Sequence, residues 1–216
     1  MDLPRPLIAI VGDLLPVMTE VPFGSALVES VHLLIDGRRR QARDILIDEL
    51  RYGQALIESI EDLDELAAVF LKYTRAAEEG TARLNLRLMA MTIRGMTHRR
   101  TLTANLFLYY AGFIATLSRE EVIAIATLYR NEKMDPDRAS DSEARGRARV
   151  RTKEELVPAF FPTERHLNST LQAATRTGLV VGITGWGALV YETTPLMEEV
   201  ESLAPFRDAL EKEGEI

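Results

Sequence analysis

The stretch TERHLNSTLQAATRTGLVVGITGWGALVYETTPL, residues 163–196, decides the reading of the chain's second half. Thr163 is a residue type suited to capping a helix N-terminus. Leu167, Leu171 and Ala174 then recur at a spacing that puts them on one helical face. Gly178 offers the left-handed backbone that commonly ends a helix. Leu179-Val180-Val181 and Leu189-Val190-Tyr191 are β-prone runs separated by Gly182, Gly185 and Gly187, the pattern of a hairpin. Thr194-Pro195 opens a last helix carrying Leu196, Val200 and Leu203, with proline at the first helical position.

Immediately upstream, Thr152-Lys153-Glu154-Glu155 fits a capping box. It predicts a short helix through Leu156, Val157 and Phe160 that Pro162 stops. Ser118-Arg119-Glu120-Glu121 fits a second box, heading a helix with Val122, Ile125 and Leu128 inward. Between these helices, Asn131 to Arg151 is a polar segment rich in Asp, Glu, Ser and Arg, and the composition predicts a mobile loop over 131–151. Arg145, Arg147, Arg149 and Arg151 alternate with other residues, a spacing suited to an extended chain that is either solvated or a phosphate-binding arm.

The first half reads as helices. From Ser25 to Leu50, Leu27, Val31, Leu34, Ala42, Ile45 and Leu50 mark a stripe interrupted by Arg38, Arg39 and Arg40, with Gly37 a weak point. Leu56 and Ile60 precede an acidic turn. Leu66, Val69, Phe70, Tyr73 and Ala77 form the next stripe, closed by Gly80. From Thr81 to Met96, Leu84, Leu88, Met89 and Met91 face inward, and Arg83, Arg87 and Arg94 face water. Leu102 to Leu117 is uncharged, and its residues Phe107, Tyr110, Phe113 and Ile114 are apolar nearly all round, as expected of a central helix surrounded by others. That run is shorter than the ~20 residues of a bilayer-spanning helix, so no integral membrane segment is expected. The run Leu7 to Val11 is broken by Asp13 and does not read as a secretory signal, which makes a cytoplasmic location the expectation.

Composition narrows the classes. In 216 residues, 46% are apolar and 27% charged, the balance of a globular chain able to bury a core. The absence of cysteine removes disulfides, thiolate metal sites and cysteine nucleophiles. A formal charge of −7 argues against a chain built to coat nucleic acid. The expected fold class is mainly α. Residues 1–117 form a helical bundle and residues 118–216 a second module with one short β-hairpin.

The order of elements from about Ser118 to Leu203 resembles a winged-helix domain, carried by Leu167, Leu171, Gly178-Leu179-Val180 and Tyr191-Glu192-Thr193-Thr194-Pro195-Leu196. The helical region before it resembles that of a class of uncharacterised bacterial proteins. The resemblance implies that the helix ending before Gly178 is the recognition helix and the glycine-rich hairpin the wing. Candidate DNA contacts are then Arg165, His166, Gln172 and Arg176, with Arg145, Arg147, Arg149 and Arg151 from the preceding segment. Glu164 also stands on that helix, and the hairpin from Gly182 to Tyr191 has no cation. It offers Trp186 at the turn, with Ile183 and Leu189 beside it, as a candidate protein interface.

No catalytic constellation emerges. Glu29-Ser30-Val31-His32 has the Glu-x-x-His spacing of di-iron bundles, but the chain holds no second copy. The glycines at 182, 185 and 187 lack dinucleotide-binding order, and His32, His98 and His166 have no metal-ligand spacing. Glu61, Asp62, Asp64 and Glu65 fit the start of a helix, and His98-Arg99-Arg100 a solvated turn. No catalytic residue, metal or cofactor is therefore expected. The leading expectation is a non-enzymatic adaptor or regulator acting through a protein partner or a homo-oligomer. The alternatives are a DNA-binding transcriptional regulator and an enzyme whose pocket residues converge from distant positions in the helical region.

Overall fold

The computed structural model of the chain describes residues 26–52, 63–134, 142–185 and 188–216. Leu56, Ile60, Glu61, Asp62 and Trp186 lie outside them. The described chain is mainly helical with one two-stranded hairpin. It divides into two compact units, residues 1–116 and 117–216.

The first unit holds α1 (Ala26–Tyr52), α2 (Leu63–Glu78), α3 (Arg83–His98) and α4 (Ala104–Ile114). Ala42, Ile45, Leu46 and Leu50 of α1 are buried, as are Leu66, Val69, Phe70, Tyr73 and Ala77 of α2. Two of the arginines that interrupt the stripe of α1 serve α2, while Arg40 donates to the Asp36 carbonyl within α1. Arg39 pairs with Glu78 at 2.7 Å, and the Arg38 guanidinium donates to the Glu78 carbonyl at the helix C-terminus, where positive charge is favoured. Gly80 ends α2 with φ +93°, and a Cβ there would meet Arg38 Nη1 at 3.2 Å. A side chain at residue 80 would thus be both strained and crowded. Gly37 does not interrupt α1, which continues through it.

The most enclosed helix of this unit is α3, buried continuously from Leu84 to Ile93, whereas α4 has a wet side. Phe107, Tyr110, Ala111 and Ile114 of α4 are buried, but Leu108 and Tyr109 are exposed and Phe113 is half-buried. The expectation of an enclosed helix over 102–117 is therefore corrected. Its apolarity exceeds what its neighbours α2 and α3 cover. Arg87, expected in water, is buried. Its Nη1 donates to Asp48 and Glu49, each at 2.8 Å, while Arg94 donates to the other oxygen of Glu49 at 2.7 Å. Glu49 is wholly buried, so these two arginines compensate a carboxylate removed from water.

The second unit is arranged around α5 (Arg119–Lys133), which packs against α6 (Ser142–Leu156), α7 (Glu164–Ala174), the second hairpin strand and α9 (Phe206–Glu213). Ser118 caps α5 as a full capping box. Its hydroxyl accepts from the Glu121 amide at 3.1 Å, and Glu121 accepts from the Ser118 amide at 2.8 Å. Thr163 caps α7, a 3-10 turn follows it, and Gly178 with φ +75° closes that turn. Strands β1 (Val180–Gly185) and β2 (Ala188–Thr193) pair antiparallel, with Val180 opposite Thr193 and Ile183 opposite Val190. Thr194 caps α8 (Pro195–Leu203), and α9 follows, an element the periodicity did not predict.

The mobile loop expected over 131–151 is contradicted wherever that segment is described. Asn131 and Glu132 are buried in the last turn of α5, and α6 begins at Ser142. Ala144, Ala148, Thr152 and Leu156 recur every four residues and are all buried, forming a narrow stripe of mostly small side chains. Polar composition concealed it, because small residues leave little hydrophobic signal. The capping box at Thr152 is corrected too. Thr152 lies inside α6 and donates its hydroxyl to the Ala148 carbonyl at 2.8 Å.

Two predictions follow from this packing. Replacing Glu49 with Ala strands two arginines and should cost about 3–5 kcal/mol in denaturant unfolding. The second concerns Glu201, which accepts from the Phe206 amide at 3.0 Å. Burial, with Asp208 nearby, pushes its carboxyl up to about 7. Between its ordinary value of 4.5 and 7, the native state holds a proton that the unfolded chain releases, so this group's contribution falls as pH rises through that window. Glu201→Gln should match the wild type near pH 4 and exceed it by up to ~3 kcal/mol above pH 7 in paired unfolding curves.

Candidate functional site

The residues singled out in the second unit converge on the face shared by α7 and the hairpin. Side chains alternate along each strand, so Val180, Gly182 and Thr184 share one face with their partners Thr193, Tyr191 and Leu189. That face turns toward α7: Val180, Tyr191 and Thr193 are buried, and the Tyr191 hydroxyl donates to Gln172 Oε1 at 3.0 Å. Burial raises the Tyr191 phenol above its ordinary range. A Cβ on Gly182 would lie 3.1 Å from Leu189 Cδ1, so the bare glycine lets Leu189 lean across the strand pair. The result is an open groove of about 580 Å³ lined by Arg165, Asn168, Ser169, Gln172, Leu189 and Tyr191.

The opposite face of the hairpin carries Val181 and Ile183 on β1, 43% and 39% exposed, beside half-buried Val190 on β2. Ile183 and Leu189 therefore do not form one patch. Leu189 belongs to the groove and Ile183 to the outer face.

The candidate cations are largely committed within the unit. Arg176 holds Glu121 with its two terminal guanidinium nitrogens, Nη1 on one oxygen and Nη2 on the other at 2.8 Å. Burial would raise the Glu121 carboxyl, but the Arg176 hydrogen bond and the Ser118 amide outweigh it and hold the group below its usual range. Arg145 pairs with Glu192 at 3.3 Å and Arg147 with Glu143 at 3.9 Å, both partly exposed contacts. Arg151 donates to the Asn131 carbonyl at 2.7 Å. Arg149 and Lys153 both reach Glu164, whose carboxyl is lowered mainly by the Lys153 hydrogen bond at 2.7 Å. The expected extended arm is instead a helix whose arginines point to several neighbours. His166 is exposed but turned back to the helix start, its Nδ1 2.8 Å from the Thr163 hydroxyl. Among the described residues, the Arg165 side chain has no ion-pair partner and is exposed.

Sequence reasoning missed what fixes the hairpin against α5. Buried Glu132, at the end of α5, accepts from the Thr193 amide at 3.1 Å and from its hydroxyl. The only trace in the sequence was an acidic residue at a helix end, and nothing local distinguishes that from a solvated one. Among the described residues, no three His, Asp or Glu side chains gather as a metal site would require. No helix there is long and apolar enough to cross a membrane.

Compared with protein-family models, curated proteins and solved structures, the chain matches none.

Removing the clamp by Glu132→Ala leaves the buried Thr193 amide without this acceptor. Amide exchange at Thr193 and its strand partner Val180 should accelerate together, with a loss of ~1–3 kcal/mol in overall stability.

Proposed function

We propose that this protein is an adaptor or regulator whose second unit, winged-helix-like in its order of elements, binds protein through the outer face of its hairpin. The observation that carries the reading is the pairing of uncovered Val181 and Ile183 with a set of cations already neutralised by neighbouring carboxylates. Apolar side chains side by side on a two-stranded sheet gain from being covered. The sheet has two strands among the described residues, so β1 has no strand partner on its far edge, where an added strand could pair. A second copy of the chain is the occupant that needs no further component, and self-association is the form of the proposal that can be tested directly.

The DNA-binding alternative keeps one supporting observation, the exposed face of α7 with Arg165, Ser169 and Gln172, side chains able to read base edges. The charge balance favours protein. Residues 117–216 carry thirteen Lys and Arg against eighteen Asp and Glu, and a phosphate partner would have to compete for arginines with Glu121, Glu164 and Glu192.

Sedimentation of the wild type beside Ile183→Asp is the experiment. The wild type should associate with a shallow salt dependence, and the variant should sediment as a monomer, losing ~2 kcal/mol or more of association free energy. A monomeric wild type that binds duplex DNA with steep salt sensitivity, lost in Arg165→Ala, would replace this reading with the DNA-binding one.

A further inference from the structure

The bond that holds Thr193 also fixes which way the hairpin's backbone groups point. In an antiparallel ribbon, opposed residues alternate: one pair exchanges its N–H and C=O groups, and the next pair turns them away from each other. The Thr193 amide donates to Glu132 of α5, so it points away from β1, and Val180–Thr193 is a pair of the second kind. The next residue agrees, since the Thr194 amide donates to the Leu179 carbonyl at 3.0 Å. Counting along the register, Gly182 opposite Tyr191 and Thr184 opposite Leu189 also turn their backbone groups outward, while Ile183 bonds across to Val190. Gly182 and Thr184 are both exposed, whereas Val180, the other outward-facing residue of β1, is buried. The free edge of β1 is thus a short one, its groups set on either side of Ile183. On β2 the outward Thr193 amide is already taken by Glu132.

We propose that two copies of the chain join edge to edge, β1 pairing antiparallel with β1 of the second copy about a two-fold axis at Ile183, so that two hairpins become one continuous sheet. The proposal rests on the reading of the hairpin as a self-association surface and specifies how the copies meet. An axis at Ile183 sets Gly182 of each copy opposite Thr184 of the other, and each such pair exchanges both of its N–H···O bonds. An axis at Gly182 would instead require Val180 opposite Thr184, and Val180 is buried. The strand's chemistry suits its own copy. A two-fold contact needs a surface complementary to itself, and β1 reads Val-Val-Gly-Ile-Thr-Gly, with no charge to repel its like across the axis. The neighbouring strand carries Glu192 and lacks that neutrality. The same axis places Ile183 against Ile183 of the second copy on the outer face, so each covers part of the other's exposed side chain. A two-stranded ribbon also gains stability when further strands extend it.

The chain has no cysteine, so a single introduced thiol reports a single contact. In Ile183→Cys the axis brings the two thiol-bearing residues together as a non-hydrogen-bonded pair, with Cα atoms ~4.5 Å apart, inside the range a disulfide spans. In Val181→Cys the two copies of the residue are offset along the strands by ~13 Å, and in Val190→Cys they are separated across the sheet by ~14 Å. Mild oxidation of the full-length variants should therefore give a covalent dimer on a non-reducing denaturing gel about tenfold faster or more for Ile183→Cys than for the other two. Sedimentation of Thr184→Pro supplies a second measurement. Proline on an edge strand removes an outward amide and leaves the bonds to β2 in place, so dimerisation should weaken by about tenfold or more. If that variant does not fold, the cysteine series decides alone. Equal cross-linking at 181 and 183, or association kept in folded Thr184→Pro but lost in Ile183→Asp, would overturn edge pairing and leave the outer face as the surface of self-association. A wild type that stays monomeric would overturn both, leaving the edge to a strand of another protein.

Discussion

The second unit depends on burying α5 nearly all round although its two ends are polar. Val122 to Leu128 provide the apolar middle. Glu121 lies at one end and Asn131 and Glu132 at the other, and all three are buried. Each buried polar group must find partners or cost more than the apolar middle gains locally. The partners come from four directions. Ser118 and Arg176 hold Glu121, while Thr152 of α6 and the Arg151 guanidinium engage the side chain and carbonyl of Asn131. Thr193 of β2 engages Glu132. Hydrophobic burial brings the elements onto α5, and these polar contacts decide where along it each one stops.

The first unit solves the same problem with charge. Glu49 of α1 is taken out of water only because Arg87 and Arg94, seven residues apart on α3, reach both of its oxygens. Such a cluster adds little stability over an apolar substitute, yet it tolerates few relative positions of the two helices, since a shift along either axis uncouples a charge. Tyr73 adds a further fixed point, its hydroxyl donating to the Ala42 carbonyl at 2.9 Å and tying α2 to α1.

What the sequence made legible was local. The caps at Ser118, Thr163 and Thr194, the stop at Gly178, the hairpin and the stripes of α2 and α7 each rest on residues within a few positions of one another, and the structure has them. What it concealed was long-range. Arg87 reads as a solvated residue until Asp48 and Glu49 are brought beside it from another helix. Helix α6 reads as a loop because its buried stripe is Ala144, Ala148 and Thr152, residues of low hydropathy, and because the carboxylates that Arg149 and Arg145 meet, Glu164 and Glu192, lie on other elements and arrive only with folding. Of the candidate site, the groove between α7 and the hairpin was foreseeable, but the division of Ile183 and Leu189 between opposite faces required the strand register.

The hairpin's two faces have a consequence for how uniquely its strands can align. Most half-buried strands encode their register by alternating apolar and polar side chains, so that a slip by one residue turns the wrong set inward. Here both sets carry apolar side chains: Val180 and Tyr191 on the inner face, Val181, Ile183 and Val190 on the outer. Hydrophobic alternation alone is a weak guide to the observed alignment. The discrimination falls to three small features, the carboxylate of Glu132 that accepts from Thr193, the missing side chain at Gly182 beneath Leu189, and Glu192, which the register turns outward to Arg145. Alignment in this ribbon is thus written in two acids and one glycine more than in its apolar positions.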